Sequence, residues 1–338
     1  MKYVLIKESV IKERDASNWI TYERTEKVEI ERFMTSTGWS SIGEDRKPED
    51  LCQSFTHPSF EYWNKRGEIL KKIGDGEKIE IRKVIRQMSW ENYACVEQKV
   101  VNFITLNDRR FGFTGNPSDI PSVIEFLKQD AGFKQVPLFL DHGTVILDPE
   151  ATGRLISTLA SMLKANNKLL TNEERGLPDI TVYDDPLIPY SHVFYTFDDE
   201  GVKTRRKELI GNGQVQDYLG TLYLGHHGNG RGFYPKPDFF NVVLKPGDWK
   251  VQELMEETKN GFLVLGSTGA EIVKKGIRLK PRKVISLGGG EIMVRELAIP
   301  LAELSTLDAI TSDSRSVYLD EDHGAVAPFV RIKARFLY

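Results

Sequence analysis

Apolar and polar residues alternate along much of this chain with the period of two that marks half-buried strands. Val28 and Ile30 alternate with Glu29 and Glu31, so residues 19–33 are expected to form a strand. A short apolar run within residues 1–11 and Ile79, Ile81 and Val84 within 78–86 predict two more. The run VVNFITL from Val100 meets Asn107-Asp108 and then RRFGF, which predicts a hairpin over 100–113. Residues 35–66 are polar and aperiodic and are read as loop with short helical pieces.

Two segments shift to the helical period. Ile120, Val123, Ile124 and Leu127 share one face of a helix over 121–131, with Gly132 as its stop. Asp148 is placed to cap a second, with Pro149 in its first turn and Glu150 at the positive end of its dipole. Leu155, Ile156, Leu159 and Leu163 make its buried stripe, and Arg154, Ser157, Ser161 and Lys164 its polar face. Between the two, a short strand over 136–140 and a turn at His142-Gly143 lead into a strand over 144–147.

Beyond Leu177 strands and tight turns predominate. Strands are expected over 179–183 and 192–197, then a turn at Asp198–Gly201, a charged strand ending at Ile210, and runs at 214–224 and 239–244. A helix over 249–258, capped by Asp248 and stopped by Gly261, precedes strands at 262–265, 271–279, 283–287, 291–298 and 325–337. The pattern predicts an α+β protein. A small mixed N-terminal domain (1–135) is followed by a β-rich, mostly antiparallel C-terminal domain (136–338) with two main helices.

Composition narrows the class. At 338 residues, two domains are the natural expectation. A net charge of −3 gives no global attraction to nucleic acid or anionic membrane. No segment reaches the ~18 apolar residues needed to span a bilayer, and the N-terminal apolar run is too short for a signal-peptide core. Cys52 and Cys95 lie far apart without metal-ligand spacing and are read as isolated thiols of a reducing compartment, so a cytoplasmic protein is expected.

Single motifs carry little chemistry. His226 and His227 are adjacent between glycines but lack a third ligand at metal spacing; His142 and His323 sit in Asp-His-Gly turns. The clusters at 228–232, 266–269 and 288–290 have neither the lysine of a Walker loop nor a dinucleotide-fold context, and read as turns. No Gly-x-Ser-x-Gly elbow is present. Asp198-Asp199 and Asp320–Asp322 read as solvated turn carboxylates.

Taken together, several runs resemble the TldD/PmbA family of peptidase subunits. FDDEGVKTRRKELIGNGQVQDYL from Phe197 is similar to that family's turn, strand, turn and strand. HGNGRG at 227–232 resembles its T-G-N-G-R-R loop, NVVLKPGD at 241–248 the segment before a short helix, and GFLVLGSTGAEI at 261–272 the strand and glycine turn that follow. The first 135 residues match weakly. Zinc-bearing relatives carry His-Glu-x-x-x-His on the helix that begins here near Pro149. Those positions are Ser157, Thr158 and Met162, and no cysteine follows Cys95 to match the family's third ligand. The resemblance is therefore to the metal-free PmbA (TldE) branch, and with no widened ligand helix to build, an unbroken α-helix is expected.

The resemblance implies a non-catalytic subunit, with no catalytic residue or metal of its own, paired with a zinc-bearing TldD-like subunit that degrades or trims unfolded peptides. His227, Gly228, Asn229, Gly230 and Arg231 would line the peptide cleft, and the same loop reads equally well as a turn shaping a dimer interface. Two alternatives stay open: a divergent peptidase or peptide-tailoring hydrolase active by itself, and a homodimeric peptide-binding scaffold without catalysis. Homo- or heterodimers, without nucleic-acid or membrane partners, are expected.

Overall fold

The computed structural model describes residues 1–15, 18–43, 48–72, 78–128, 134–137, 139–172, 177–274 and 276–338. The chain divides into two compact units that do not follow a single cut. Unit 1 gathers Met1–Asp130, Pro186–Arg205 and Gly220–Phe240; unit 2 gathers Ala131–Asp185, Arg206–Leu219 and Asn241–Tyr338.

Unit 1 is built on a six-stranded sheet. The hairpin β1 (Lys2–Asp15) and β2 (Asn18–Glu31) is followed by the small pair β3 (Phe33–Thr35) and β4 (Gly38–Ser40) and by β5 (Phe55–Thr56). A 3-10 segment, Pro58–Lys65, leads into α1 (Arg66–Lys72); β6 (Lys78–Trp90), β7 (Tyr93–Leu106), β8 (Arg109–Thr114) and α2 (Ile120–Lys128) follow. The sheet order is β2-β1-β6-β7-β5, with β8 also on β7. The period-two segments are all strands, and Asn107 takes the left-handed conformation (φ 50°) at the β7–β8 turn. α1 and α2 cover one face, where Val10, Leu70, Ile79, Ile81, Ile104 and Ile124 form the core. The stop expected at Gly132 lies outside the described residues.

On the other face, Met1, Tyr3, Met88 and Phe197 pack around a disulfide between Cys52 and Cys95. Expected as isolated thiols, these cysteines meet because β5 runs parallel to β7, pairing Phe55 with Glu97 and drawing the two Cα atoms to 6.1 Å. The inference of a reducing compartment from unpaired thiols falls with that pairing. No described helix is long and apolar enough to cross a membrane.

In unit 2, β9 (His142–Leu147) precedes α3 (Pro149–Met162), and β10 (Val182–Asp184), β11 (Lys207–Gly211) and β12 (Gln214–Val215) come next. The pair β13 (Gly230–Arg231) and β14 (Lys236–Pro237) belongs to unit 1. Unit 2 resumes with β15 (Asn241–Leu244), α4 (Val251–Glu257), β16 (Phe262–Val273), β17 (Gly276–Ser286), β18 (Glu291–Ile292), β19 (Glu296–Pro300), β20 (Ala309–Tyr318) and β21 (Gly324–Leu337). They form an eleven-stranded mixed sheet in which β9 pairs with both β16 and β21, closing β21-β19-β17-β16-β9 into a ring. The fold is α+β and mostly strand, with α3 and α4 the helices of unit 2.

Several local expectations give way. His142-Gly143 lies inside β9 rather than in a turn, residues 136, 137, 139 and 140 form no strand, and 271–279 spans the turn between β16 and β17. The alternation over 214–224 yields only β12 before loop and a 3-10 turn. The residue capping α4 is Lys250, not Asp248: the Glu253 carboxylate accepts from the Lys250 N–H (3.4 Å). α3 starts as expected, with Asp148 Oδ1 accepting from Ala151 N (2.9 Å) and Oδ2 from Gly266 N (2.9 Å). Its opposite face is not solvated, because β15, β16, β17, β20 and β21 surround it and leave Ser157 and Thr158 buried.

Candidate functional site

The residues marked for peptide binding fall in unit 1, in the loop entering β13. Gly228 and Gly232 hold φ of 92° and 93°, backbone that favours glycine. A Cβ on Gly230 would lie 2.4 Å from Glu200 Cγ, so only a bare backbone passes there. His227 is exposed, while Gly228, Asn229 and Gly230 are buried. The Arg231 side chain, 10% exposed, turns inward. It donates to Phe239 O (3.2 Å), stacks on Phe240 (4.2 Å to the centroid) and approaches Asp199 Oδ2 (3.8 Å).

Beneath the loop lies an ionic hub that motif reading did not assemble. Asp198 and Asp199, expected as solvated turn carboxylates, are 0% and 7% exposed, and Glu200 is 0%. Asp198 Oδ1 accepts from Glu200 N (2.9 Å) and Val202 N (3.0 Å), and its Oδ2 from Gly230 N (3.0 Å). Asp199 Oδ2 accepts from Gly232 N (2.7 Å), and Asp199 N donates to Gly230 O (2.8 Å). The turn thus accepts from two amides of the glycine loop, those of Gly230 and Gly232.

Cations from the sheet hold the turn in place. Arg86 on β6 pairs with Asp199 Oδ1 (2.8 Å) and Glu97 Oε1 (3.4 Å) and donates to Phe197 O. Arg32, directly after β2, donates to the carbonyls of Asp199, Gly232 and Phe233. Lys99 on β7 donates to Phe194 O and lies over the Tyr195 ring (3.7 Å). Glu97 Oε2 accepts from the Thr196 amide and from its hydroxyl (2.7 Å). Residues 192–197, expected as a strand, form only an isolated bridge from Phe197 to Lys203. Charged side chains of β6 and β7 take Phe194 O, Thr196 N and Phe197 O, while Tyr195 N donates to Pro186 O and Thr196 O accepts from Thr204 N.

Burial sets the protonation states. It would weaken the Arg86 cation, but Glu97 and Asp199 more than offset that and leave it firmly charged. Burial pushes Lys99 down to about 7, against the pull of Glu97. Burial also raises Asp198, to about 6, with three backbone donors opposing. Glu200, buried beside Asp198, is pushed up to about 8 although it accepts from Trp39 Nε1 (2.6 Å) and Leu222 N (2.9 Å). Asp198, with three backbone donors facing it, is raised less than Glu200. Enclosed in this way, the groups order a loop rather than face a substrate.

The second set of marked residues lies on α3 in unit 2. Helical hydrogen bonding runs unbroken through Met162, without the widened turn that an i, i+5 ligand pair requires. Ser157 Oγ and Thr158 Oγ1 both donate to Arg154 O (3.0 and 2.8 Å), and Met162 is 1% exposed. Two hydroxyls committed to a helical carbonyl and a thioether do not fit a catalytic zinc, which takes three imidazole, thiolate or carboxylate ligands. Among the described residues, no three His, Cys, Asp or Glu side chains cluster in metal-binding geometry.

The chain is a strand-rich α+β protein with α3 set against a partly closed sheet. Residues 141–334 match the family profile described as the PmbA/TldA metallopeptidase C-terminal domain, and the chain belongs to that PmbA/TldD family. It is similar to a metalloprotease of Methanocaldococcus jannaschii, 28% identical over 234 residues covering 63% of this chain and 52% of the relative. A zinc metalloprotease TldD homolog of Saccharolobus solfataricus is 28% identical over 187 residues, 50% of this chain and 41% of its own length. The chain thus spans about half the length of these relatives or less. In fold it resembles TldE from Thermococcus kodakarensis, with a TM-score of 0.71 at 15% identity over 99% of this chain and 95% of that one.

Proposed function

We propose that this chain is a TldE-like subunit that contributes no hydrolytic metal centre of its own and works beside a zinc-bearing, TldD-like subunit in trimming or degrading extended peptides. The observation that carries this reading is the chemistry of α3. Where the resemblance puts two imidazoles and a carboxylate, Ser157 and Thr158 spend their hydroxyls on Arg154 O and Met162 is packed away. Water activation by zinc needs an open coordination position and a nearby base. In this reading the 227–231 loop presents His227 toward the peptide, while Gly228, Asn229, Gly230 and Arg231 act from behind it by fixing its shape. No nucleic-acid or membrane partner enters this reading.

The test is elemental analysis of the purified chain with a peptide digest, alone and with a zinc-bearing relative added. No stoichiometric zinc and cleavage only in the mixture are expected. Stoichiometric zinc with chelator-sensitive cleavage by the chain alone overturns the proposal. That outcome would favour a second reading, a peptidase or tailoring hydrolase in its own right, motivated by the similarity to proteins described as metalloproteases. Stable peptide binding without turnover in either condition would favour a scaffold.

A further inference from the structure

β2 closes one end of the unit 1 sheet, and among the described residues no other strand pairs with its second edge. It is 14 residues long, contains no proline, and pairs with β1 without a register break. A long open edge templates pairing with another chain.

The backbone polarity of that edge is fixed by the strand's end. Met1 N donates to Arg32 O (3.0 Å) and Arg32 N to Met1 O (2.9 Å), so Met1 and Arg32 are a hydrogen-bonded pair. Bonding alternates along an antiparallel ladder. Even-numbered residues of β2 therefore bond to β1, and Thr21, Glu23, Thr25, Lys27 and Glu29 turn their N–H and C=O groups outward.

The side chains say what fits against them. We propose that β2 is a homotypic edge, on which two copies of this chain join β2 to β2, antiparallel, about a two-fold axis at Thr25. In that register Glu23 faces Lys27, Arg24 faces Glu26, Tyr22 faces Val28 and Ile20 faces Ile30. Each match occurs twice by symmetry, and directly opposed residues share a face, so the apolar pairs gather on one side of the joined sheet. Neighbouring registers fail: a centre at Arg24 opposes Tyr22 to Glu26 and forms no ion pair, and a centre at Glu26 opposes Glu23 to Glu29. Of the apolar members, Ile20 is 40% and Tyr22 38% exposed, while Val28 and Ile30 are half-buried. This pairing does not depend on the reading of α3.

Sedimentation of the full chain over a range of concentrations tests the proposal. The wild-type chain is expected to dimerise. Thr25→Pro removes an outward N–H that β1 does not use, as an edge strand tolerates, and is expected to give a folded monomer. Glu23→Lys turns two attractive pairs repulsive and is expected to weaken dimerisation about tenfold. Adding Lys27→Glu to that variant is expected to restore it, which keeps the test decisive even if the proline variant fails to fold. A wild-type monomer, a folded proline variant that still dimerises, a charge-reversed pair no tighter than the single variant, or a monomer that captures extended peptide on this edge would each overturn the proposal.

Discussion

The unit 1 hub and helix α3 of unit 2 both bury polar side chains, but they satisfy them at opposite ranges. On α3, Ser157 and Thr158 bond to a carbonyl three or four residues back in the same helix. In the hub, Arg86 pairs with Asp199 across 113 positions and Arg32 donates to Asp199 across 167. Local satisfaction leaves a helix self-sufficient, so its positions are free to lose a metal site and still fold. Long-range satisfaction makes each member depend on distant segments, so the loss of one strands the others.

The strongest break of that comparison is Arg86→Met, which takes the guanidinium away from buried Glu97 and leaves Asp199 with Arg231 at 3.8 Å. We expect a loss of about 3–5 kcal/mol, read as a lower denaturant midpoint. A loss below about 1 kcal/mol would mean that water or another cation serves the site equally well.

Cys52→Ser asks how far the hub leans on its covalent neighbour. The bridge closes a 43-position span, and on the chain-entropy account its removal costs about 2–4 kcal/mol. Thermal melts with and without reductant are expected to converge on the variant's value; a wild-type melt indifferent to reductant contradicts this.

Protonation separates the regions by pH. Because Glu200 is raised in the folded state to about 8 from an ordinary 4.5, its stabilising contribution is complete below about 4.5 and lost as pH climbs toward 8. Lys99, lowered to about 7, acts in the opposite sense, with stability rising from about pH 7 toward its ordinary 10.5. Glu200→Gln should flatten the fall of melting temperature over pH 4.5–8; an unchanged slope would place the proton elsewhere. The smallest effect belongs to α3. Thr158→Val keeps the branched shape and removes a hydroxyl bonded to its own helix, so a change within about 1 kcal/mol is expected by the same melts. A loss as large as that of Arg86→Met would erase the distinction between the two regions.

What could be read in the residues follows the same division of range. The β2 alternation at Val28 and Ile30, the Asn107 turn and the Asp148 cap depend on neighbours a few positions away, and all three are found. Residues 192–197 carry a strand's apolar signature, yet Phe194 O, Thr196 N and Phe197 O are taken by Lys99, Glu97 and Arg86 from other segments. No local pattern distinguishes burial under a charged network from burial in a ladder. Likewise Asp198 and Asp199 have the look of turn carboxylates, and nothing nearby announces Arg86 or Arg32. The α3 positions are singled out through the resemblance, not through any local pattern. Arg231 was picked out by its loop, but the inward set of its side chain depends on Asp199 and Phe240.

One strand has a consequence for how the molecule is made. β21 is hydrogen-bonded to β15, β19, β20 and β9, whose members lie as far back as His142. During synthesis those earlier segments leave the ribosome without the strand that joins them, and the ring cannot close until Gly324–Leu337 has emerged. Until then the strand edges that β21 covers stand unpaired by it.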